Sequence, residues 1–129
     1  MGDKVSTVIE KIKKTGLFNI EAGIEYCVDE EGYVEILEQC PYTFESSLRN
    51  LCGFYDKGIS LEDEANITEY RVVAHSIKST ARLLGYDSLF ETGKISEFAA
   101  RDLDLDMIKS NHSNLVSQTK EAIEMIQVM

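Results

Sequence analysis

The chain has 129 residues, of which 43% are hydrophobic, and its formal net charge is −10 at pH 7. That size suits one hydrophobic core, so a single domain over residues 1–129 is expected, and the negative charge argues against nucleic acid or an anionic membrane surface as a partner. No apolar run approaches the roughly 18 residues that a membrane span needs, and the N-terminus lacks an apolar signal core, which together indicate a cytoplasmic protein.

Composition and periodicity predict an all-α fold. The chain has only eight glycines and one proline, which are too few turn-forming residues for a β-sandwich. Apolar residues recur at spacings of three and four from one end to the other, without a linker or repeat. We therefore expect an antiparallel four-helix bundle over about residues 20–129, with short N-terminal helices.

Two short helices come first in this prediction. The first covers residues 5–15 and ends at Gly16, because glycine is a common helix terminator. Its apolar stripe consists of Val5, Val8, Ile9 and Ile12. The second short helix covers about residues 20–28.

A long helix follows, with Asp29 as its candidate N-cap and an end near Gly58. Its apolar stripe consists of Tyr33, Ile36, Leu37, Cys40, Phe44, Leu48, Leu51 and Tyr55. Pro41 lies inside this run and removes one backbone donor, so a kink or two abutting helices are expected there.

The next helix is predicted to begin at Asn66, because Glu69 follows it at capping-box spacing. It ends at Gly85, and its buried stripe consists of Tyr70, Val73, Ala74, Ile77, Ala81 and Leu84. The acidic segment 62–64 before it is interpreted as a solvated loop that could help to select a partner by charge.

Two further helices complete the predicted bundle. One begins after Asp87 and breaks near Asp102, although Gly93 weakens it. Its apolar residues are Leu89, Phe90, Ile95, Phe98 and Ala99. The last helix runs over about residues 106–127.

The cysteines and one of the two histidines receive structural interpretations. Cys27, Cys40 and Cys52 are odd in number, form no CxxC pair and have no histidine at metal-ligand spacing, so they are interpreted as buried reduced thiols. His112 lies away from any cationic cluster and is interpreted as a capping or surface residue.

His75 is the candidate functional residue. On an ideal helix it falls about 140° from Tyr70 at the centre of the buried stripe, on the flank that faces water. Arg71, Lys78 and Arg82 stand at −4, +3 and +7 from it, offsets that place side chains on neighbouring turns of one face. The sequence therefore predicts an exposed histidine surrounded by three cations in an acidic protein.

Such a cluster suits phosphohistidine chemistry. Nearby cations favour the neutral imidazole, which has a ring nitrogen free to act as a nucleophile, and they stabilise a phosphoryl group once it is attached. Ser79 and Thr80 are small, so a partner could approach in line with the ring. Surface histidines near basic residues are also common without any function, so the spacing alone does not decide.

The segment from Ala74 to Gly85, AHSIKSTARLLG, resembles the motif A-H-x-L-K-G-x-[SA]-x-x-[LIV]-G of the histidine-containing phosphotransfer (HPt) family. The similarity continues at Leu89 and at residues 97–101, and reaches back to about residue 20. It implies a four-helix bundle in which His75 accepts a phosphoryl group and Lys78 stabilises it. The chain departs from the family at two positions, where Ser79 replaces glycine and Ser96 replaces an apolar residue.

The resemblance also implies the partners. These are response-regulator receiver domains and a hybrid sensor histidine kinase, with Mg²⁺ bound on the receiver and no cofactor of this chain's own. The chain would be a monomeric phosphocarrier without a kinase or phosphatase site. The expected docking surface around the histidine consists of Arg71, Val72, Ser79, Arg82 and Leu83.

Two alternatives stay open at this point. The first is a degenerate HPt-like adaptor that binds a kinase or receiver without being phosphorylated, although His75 and Lys78 are both intact. The second is a hydrolase with a phosphohistidine intermediate. It is disfavoured because no carboxylate stands one or two helical turns from His75 on its own helix to protonate a leaving group.

Overall fold

The structure is a computed structural model that describes residues 2–127, with side chains from residue 4 onward. Over that range the chain forms six α-helices and no strand: α1 Gly2–Lys13, α2 Ile20–Tyr26, α3 Glu30–Lys57, α4 Glu64–Leu84, α5 Asp87–Arg101 and α6 Leu105–Gln127. The predicted all-α fold is confirmed. Within the described range, no helix has both the length and the apolar composition needed to cross a membrane.

The four longer helices pack in a closed ring. Helix α3 contacts α4, α4 contacts α5, α5 contacts α6, and α6 returns to α3. Helices α5 and α6 run in opposite directions, because Asn111 of α6 contacts Ser96 of α5, whereas Gln118, further along α6, contacts the earlier Ser88 of α5. Fully buried side chains from every member of the ring fill the centre, among them Phe44, Leu51, Tyr70, Ile77, Leu89, Ile108 and Leu115.

The short helices pack on the outside of this ring. Helix α1 lies against α3, and α2 lies against α3 and α4. Helix α1 begins at Gly2, three residues before its predicted start. The reason is that Val5 is already part of the half-buried stripe, and the helix must extend in front of it to hold it there.

Helix α3 is continuous over its 28 residues. The predicted N-cap is confirmed, because the Asp29 side chain accepts a hydrogen bond from the backbone N–H of Gly32 at 2.8 Å. Pro41 is buried inside the helix, which excludes two abutting helices at this position, and a kink there, the other expected outcome, stays a prediction. The Cys40 thiol is buried and those of Cys27 and Cys52 are half-buried, and all three are free.

The start of α4 differs from the prediction. Asp63 is the N-cap, and its side chain accepts a hydrogen bond from the backbone N–H of Asn66. Asn66 is buried, and its amide donates to the carbonyls of Phe54 and Gly58 at 2.8 and 3.1 Å. The Asn66 side chain therefore fastens α4 to the end of α3. In the acidic segment 62–64, Glu62 is an exposed turn residue, as expected for a solvated loop, whereas Asp63 is the N-cap and Glu64 is the first residue of the helix.

The turn between α4 and α5 is held at three points. Gly85 ends α4 in the left-handed region at φ 76°, which glycine adopts without a Cβ penalty. Its carbonyl accepts a 2.7 Å hydrogen bond from the backbone N–H of Asn19, and the buried Tyr33 hydroxyl donates to the Leu84 carbonyl at 2.7 Å. Both hydrogen bonds come from residues outside α4 and α5, and they fix how α5 aligns along α4.

Apart from Leu89, the inward face of α5 consists of small and polar residues. The buried positions of this helix are Leu89, Thr92, Gly93, Ser96, Ala99 and Ala100, whereas Ile95, one of the apolar residues of the predicted helix, is 44% exposed. An ideal Cβ at Gly93 would lie 3.1–3.4 Å from the backbone and Cβ of Lys78. Gly93 thus allows α5 to approach α4 closely beside His75.

We expect Gly93→Val to lower the free energy of unfolding by about 1–3 kcal/mol, because the new side chain would overpack against α4. The control is Gly53→Val, at a helical glycine whose Cβ would meet nothing within 4 Å. Helix propensity alone keeps that variant within about 0.5 kcal/mol of the original protein. Urea unfolding followed by circular dichroism measures both, and equal losses would show that the helix contact is not tight.

Candidate functional site

His75 lies on the exposed flank of α4, as the sequence predicts. Its side chain is 59% exposed. The neighbouring residues Ala74 and Ile77 are completely buried, so the backbone that carries the histidine is anchored in the core. The imidazole is therefore held by a rigid helix and is accessible to a large partner.

The carboxylate of Glu97, on α5, contacts two polar side chains of α4, those of His75 and Lys78. Glu97 Oε2 lies 3.0 Å from His75 Nδ1, and Glu97 Oε1 lies 2.6 Å from Lys78 Nζ. The second contact is an ion pair. The side chains of Lys78 and Glu97 are only 16% and 15% exposed, which shields their attraction from water.

The charge of Glu97 determines which nitrogen of His75 bears the proton. Partial burial tends to raise the pKa of Glu97, but the ammonium of Lys78 and the imidazole of His75 outweigh it and hold that pKa below its ordinary value. An ionised carboxylate can only accept hydrogen bonds, so His75 Nδ1 must donate. In the neutral ring, Nε2 then has the free lone pair.

The Nε2 side of the ring faces a shallow groove. Ser79 Oγ lies 3.5 Å from Nε2, at the limit of a hydrogen bond. The groove has a volume of about 270 Å³ and is lined by His75, Lys78, Ser79, Arg82, Leu83 and Phe90. Two aromatic rings hold Arg82 here, with its guanidinium carbon 4.6 Å from the ring centre of Phe90 and 5.6 Å from that of Tyr26.

A second groove lies on the Nδ1 side. It has a volume of about 260 Å³ and is lined by Arg71, Val72, His75, Glu97, Phe98 and Arg101. Three cations approach the Phe98 ring: Arg101 at 4.4 Å, Lys78 at 5.7 Å and Lys94 at 5.8 Å from its centre. The sequence analysis missed Phe98, Lys94 and Arg101 as neighbours of the site, because they come from the other helix.

The structure thus brings every predicted site residue to the two grooves that flank His75. Val72 is 56% exposed and Leu83 is half-buried, so both present apolar surface beside the histidine. The sequence predicted three cations around His75, but the charged group that touches its imidazole is the carboxylate of Glu97. Lys78 is paired with that carboxylate, whereas Arg71 and Arg82 form no ion pair with any residue that the structure describes.

His112 is not the capping or surface residue that the sequence suggested. Its ring is half-buried and stacks on Tyr55, with ring centres 3.6 Å apart and planes 4° from parallel. Its Nδ1 lies 2.8 Å from the Tyr70 hydroxyl. In the sequence, Asn111 and His112 lie between the apolar residues Ile108 and Leu115, at positions that face inward on a helix. A search for apolar residues misses this signal, because both residues are polar.

Ser96 has a structural reason for its departure from the HPt pattern. Its side chain is completely buried, and its hydroxyl accepts a 2.6 Å hydrogen bond from the Asn111 amide, which also donates to the Thr92 carbonyl at 2.9 Å. A polar contact between α5 and α6 thus replaces an apolar one, directly before Glu97.

Comparisons with known proteins identify no family for this chain. A scan against models of protein families finds no match, and neither do searches of curated proteins and of solved structures. Within the described residues, no group of three or more histidine, cysteine, aspartate or glutamate side chains could hold a metal ion. The function is therefore inferred from the motif and from the geometry around His75.

The half-buried His112 makes stability depend on pH. Burial lowers its pKa below the ordinary 6.5, and the Asp56 carboxylate only partly opposes this. Below about pH 6.5 the unfolded chain therefore binds a proton at His112 more readily than the folded protein does, so stability is lost as the pH falls. Between pH 7.5 and pH 5.5, we expect the original protein to lose more unfolding free energy than His112→Gln in urea titrations, and equal losses would contradict this.

Proposed function

We propose that this protein is a histidine phosphotransfer protein, which accepts a phosphoryl group from a receiver-domain aspartate on His75 and passes it to another receiver. The observation that carries the proposal is the contact of Glu97 with both His75 and Lys78, which puts the proton on Nδ1 and leaves Nε2 unprotonated on the exposed side of the ring. The resemblance of residues 74–85 to the HPt motif supports the same function.

The geometry suits phosphoryl transfer from an acyl phosphate. Nε2 forms a bond to phosphorus while the bond from phosphorus to the aspartate oxygen breaks, and the carboxylate leaves as an anion. No proton has to leave Nε2, because the proton is on Nδ1. The ring gains positive charge during the attack, and the Glu97 carboxylate, 3.0 Å from Nδ1, stabilises that charge.

The partner supplies the remaining chemistry in this proposal. Phosphoryl transfer depends mainly on positioning and electrostatic stabilisation, and an Mg²⁺ ion on the receiver would bind the phosphoryl oxygens from the other side. The chain offers the exposed imidazole between two grooves, with Val72 and Leu83 as apolar contacts. Such a phosphocarrier, working between a hybrid sensor kinase and a response regulator, would act in the cytoplasm.

The first test is transfer of label from a radiolabelled phospho-receiver to this protein. We expect an acid-labile, alkali-stable label that is absent from His75→Gln and present in His112→Gln, since the second histidine is half-buried and stacks on Tyr55. An unlabelled original protein across a panel of receivers that it binds would favour the docking adaptor instead.

Glu97→Gln should slow labelling about 10- to 100-fold, because the charge that orients the imidazole and stabilises its positive form is lost. Glu91→Gln, on an exposed position of the same helix, is the matched control and should react at the original rate. The measurement is the single-turnover rate with excess phospho-receiver. Equal rates for the two variants would remove Glu97 from the mechanism.

A further inference from the structure

The proposed function requires a group that holds the phosphoryl dianion once it is attached to Nε2. The HPt resemblance assigns this task to Lys78. In the structure, however, the Lys78 ammonium lies 2.6 Å from Glu97 Oε1, in the contact that also orients the histidine. Glu97 meets the ring at Nδ1, on the side opposite to the nitrogen that would be phosphorylated.

Two other groups lie on the Nε2 side. The Ser79 hydroxyl is 3.5 Å from Nε2, so an oxygen of a phosphoryl group attached there would come within reach of the same hydroxyl. Arg82 and Lys78 both line the same groove as His75 and Ser79, but the Lys78 ammonium is paired with Glu97. Helical side chains lean towards the N-terminus, which brings Arg82 towards Ser79, one turn before it.

The guanidinium of Arg82 is held in place but keeps its charge uncompensated. It lies over the rings of Phe90 and Tyr26, and among the described residues no carboxylate pairs with it. A guanidinium that stacks on aromatic faces still has N–H donors free at its edge, in the fork geometry that matches phosphoryl oxygens. The aromatic contacts limit its motion, so less conformational entropy is lost on binding.

We propose that Ser79 and Arg82 form the site that holds the phosphoryl group of phosphorylated His75, while Lys78 acts through Glu97. The inference rests on the proposed function. In the free protein the Ser79 hydroxyl donates weakly to the Nε2 lone pair, and after transfer it turns to donate to a phosphoryl oxygen. Serine in place of the usual glycine is then a ligand of the phosphoryl group and not an obstacle to transfer.

The consequence is a slower loss of the phosphoryl group to water. In hydrolysis the bond between Nε2 and phosphorus breaks, its electron pair returns to Nε2, and water adds to phosphorus to give inorganic phosphate. The transition state is loose, and the electron pair that moves to the nitrogen leaves less negative charge on the phosphoryl oxygens than they carry in the phosphorylated protein. Groups bound to those oxygens therefore stabilise the phosphorylated protein more than the transition state.

The test uses phosphoramidate, a small donor that phosphorylates histidine without a receiver, and measures the half-life of phosphohistidine by ³¹P NMR. We expect Arg82→Gln and Ser79→Ala to shorten the half-life about two- to fivefold, as the loss of one exposed charged contact would. The matched control is Arg49→Gln, an exposed arginine of α3 that lines neither groove beside His75, and its half-life should not change. Arg82→Lys should keep most of the original half-life, since it retains the charge.

Two different results would distinguish a failure of the phosphoryl-holding site from a failure of the proposed function. If His75 is phosphorylated and Arg82→Gln decays no faster than Arg49→Gln, the holding site is wrong and the phosphotransfer function stands. If neither phosphoramidate nor any phospho-receiver modifies His75 in the folded protein, the proposed function fails and this inference fails with it. Circular dichroism of each variant establishes that the helices are intact.

Discussion

The carboxylate of Glu97 is the group on which the site depends. Its two oxygens face His75 Nδ1 at 3.0 Å and Lys78 Nζ at 2.6 Å, so a single side chain from α5 orients the imidazole and neutralises the nearest base. Because an ionised carboxylate only accepts hydrogen bonds, it confines the proton to Nδ1 and leaves the lone pair on Nε2. Orientation, tautomer and exposure of the nucleophile thus follow from one contact between two helices.

That contact depends on residues far from the imidazole. Gly85 ends α4 in the left-handed region, and the Tyr33 hydroxyl binds the Leu84 carbonyl, which together fix where α5 begins. Gly93 then allows the two backbones to approach at Lys78, and the buried hydrogen bond between Ser96 and Asn111 holds the next turn against α6. Each of these features sets the position of Glu97, so packing inside the bundle determines the chemistry on its surface.

The sequence predicted what is encoded within single helices, namely the apolar stripes, the Asp29 cap and the exposure of His75. It did not predict Glu97 as the partner of His75, because only offsets along α4 were considered. His75 lies ten residues before Gly85, and Glu97 lies eleven residues after Tyr86, so an antiparallel pairing about that turn would have brought them together. The stack of His112 on Tyr55 joins α6 to α3, and Tyr70 of α4 contacts the same histidine. The spacing of apolar residues within one segment cannot predict such contacts among three helices.

The most direct test of this account is NMR of the ¹⁵N-labelled imidazole of His75, recorded at neutral pH before and after chemical phosphorylation. The account predicts that the neutral ring is protonated on Nδ1, that Glu97→Gln weakens this preference, and that phosphorus couples to Nε2 in the phosphorylated protein. A neutral ring protonated on Nε2, or a phosphoryl group attached to Nδ1, would contradict the account.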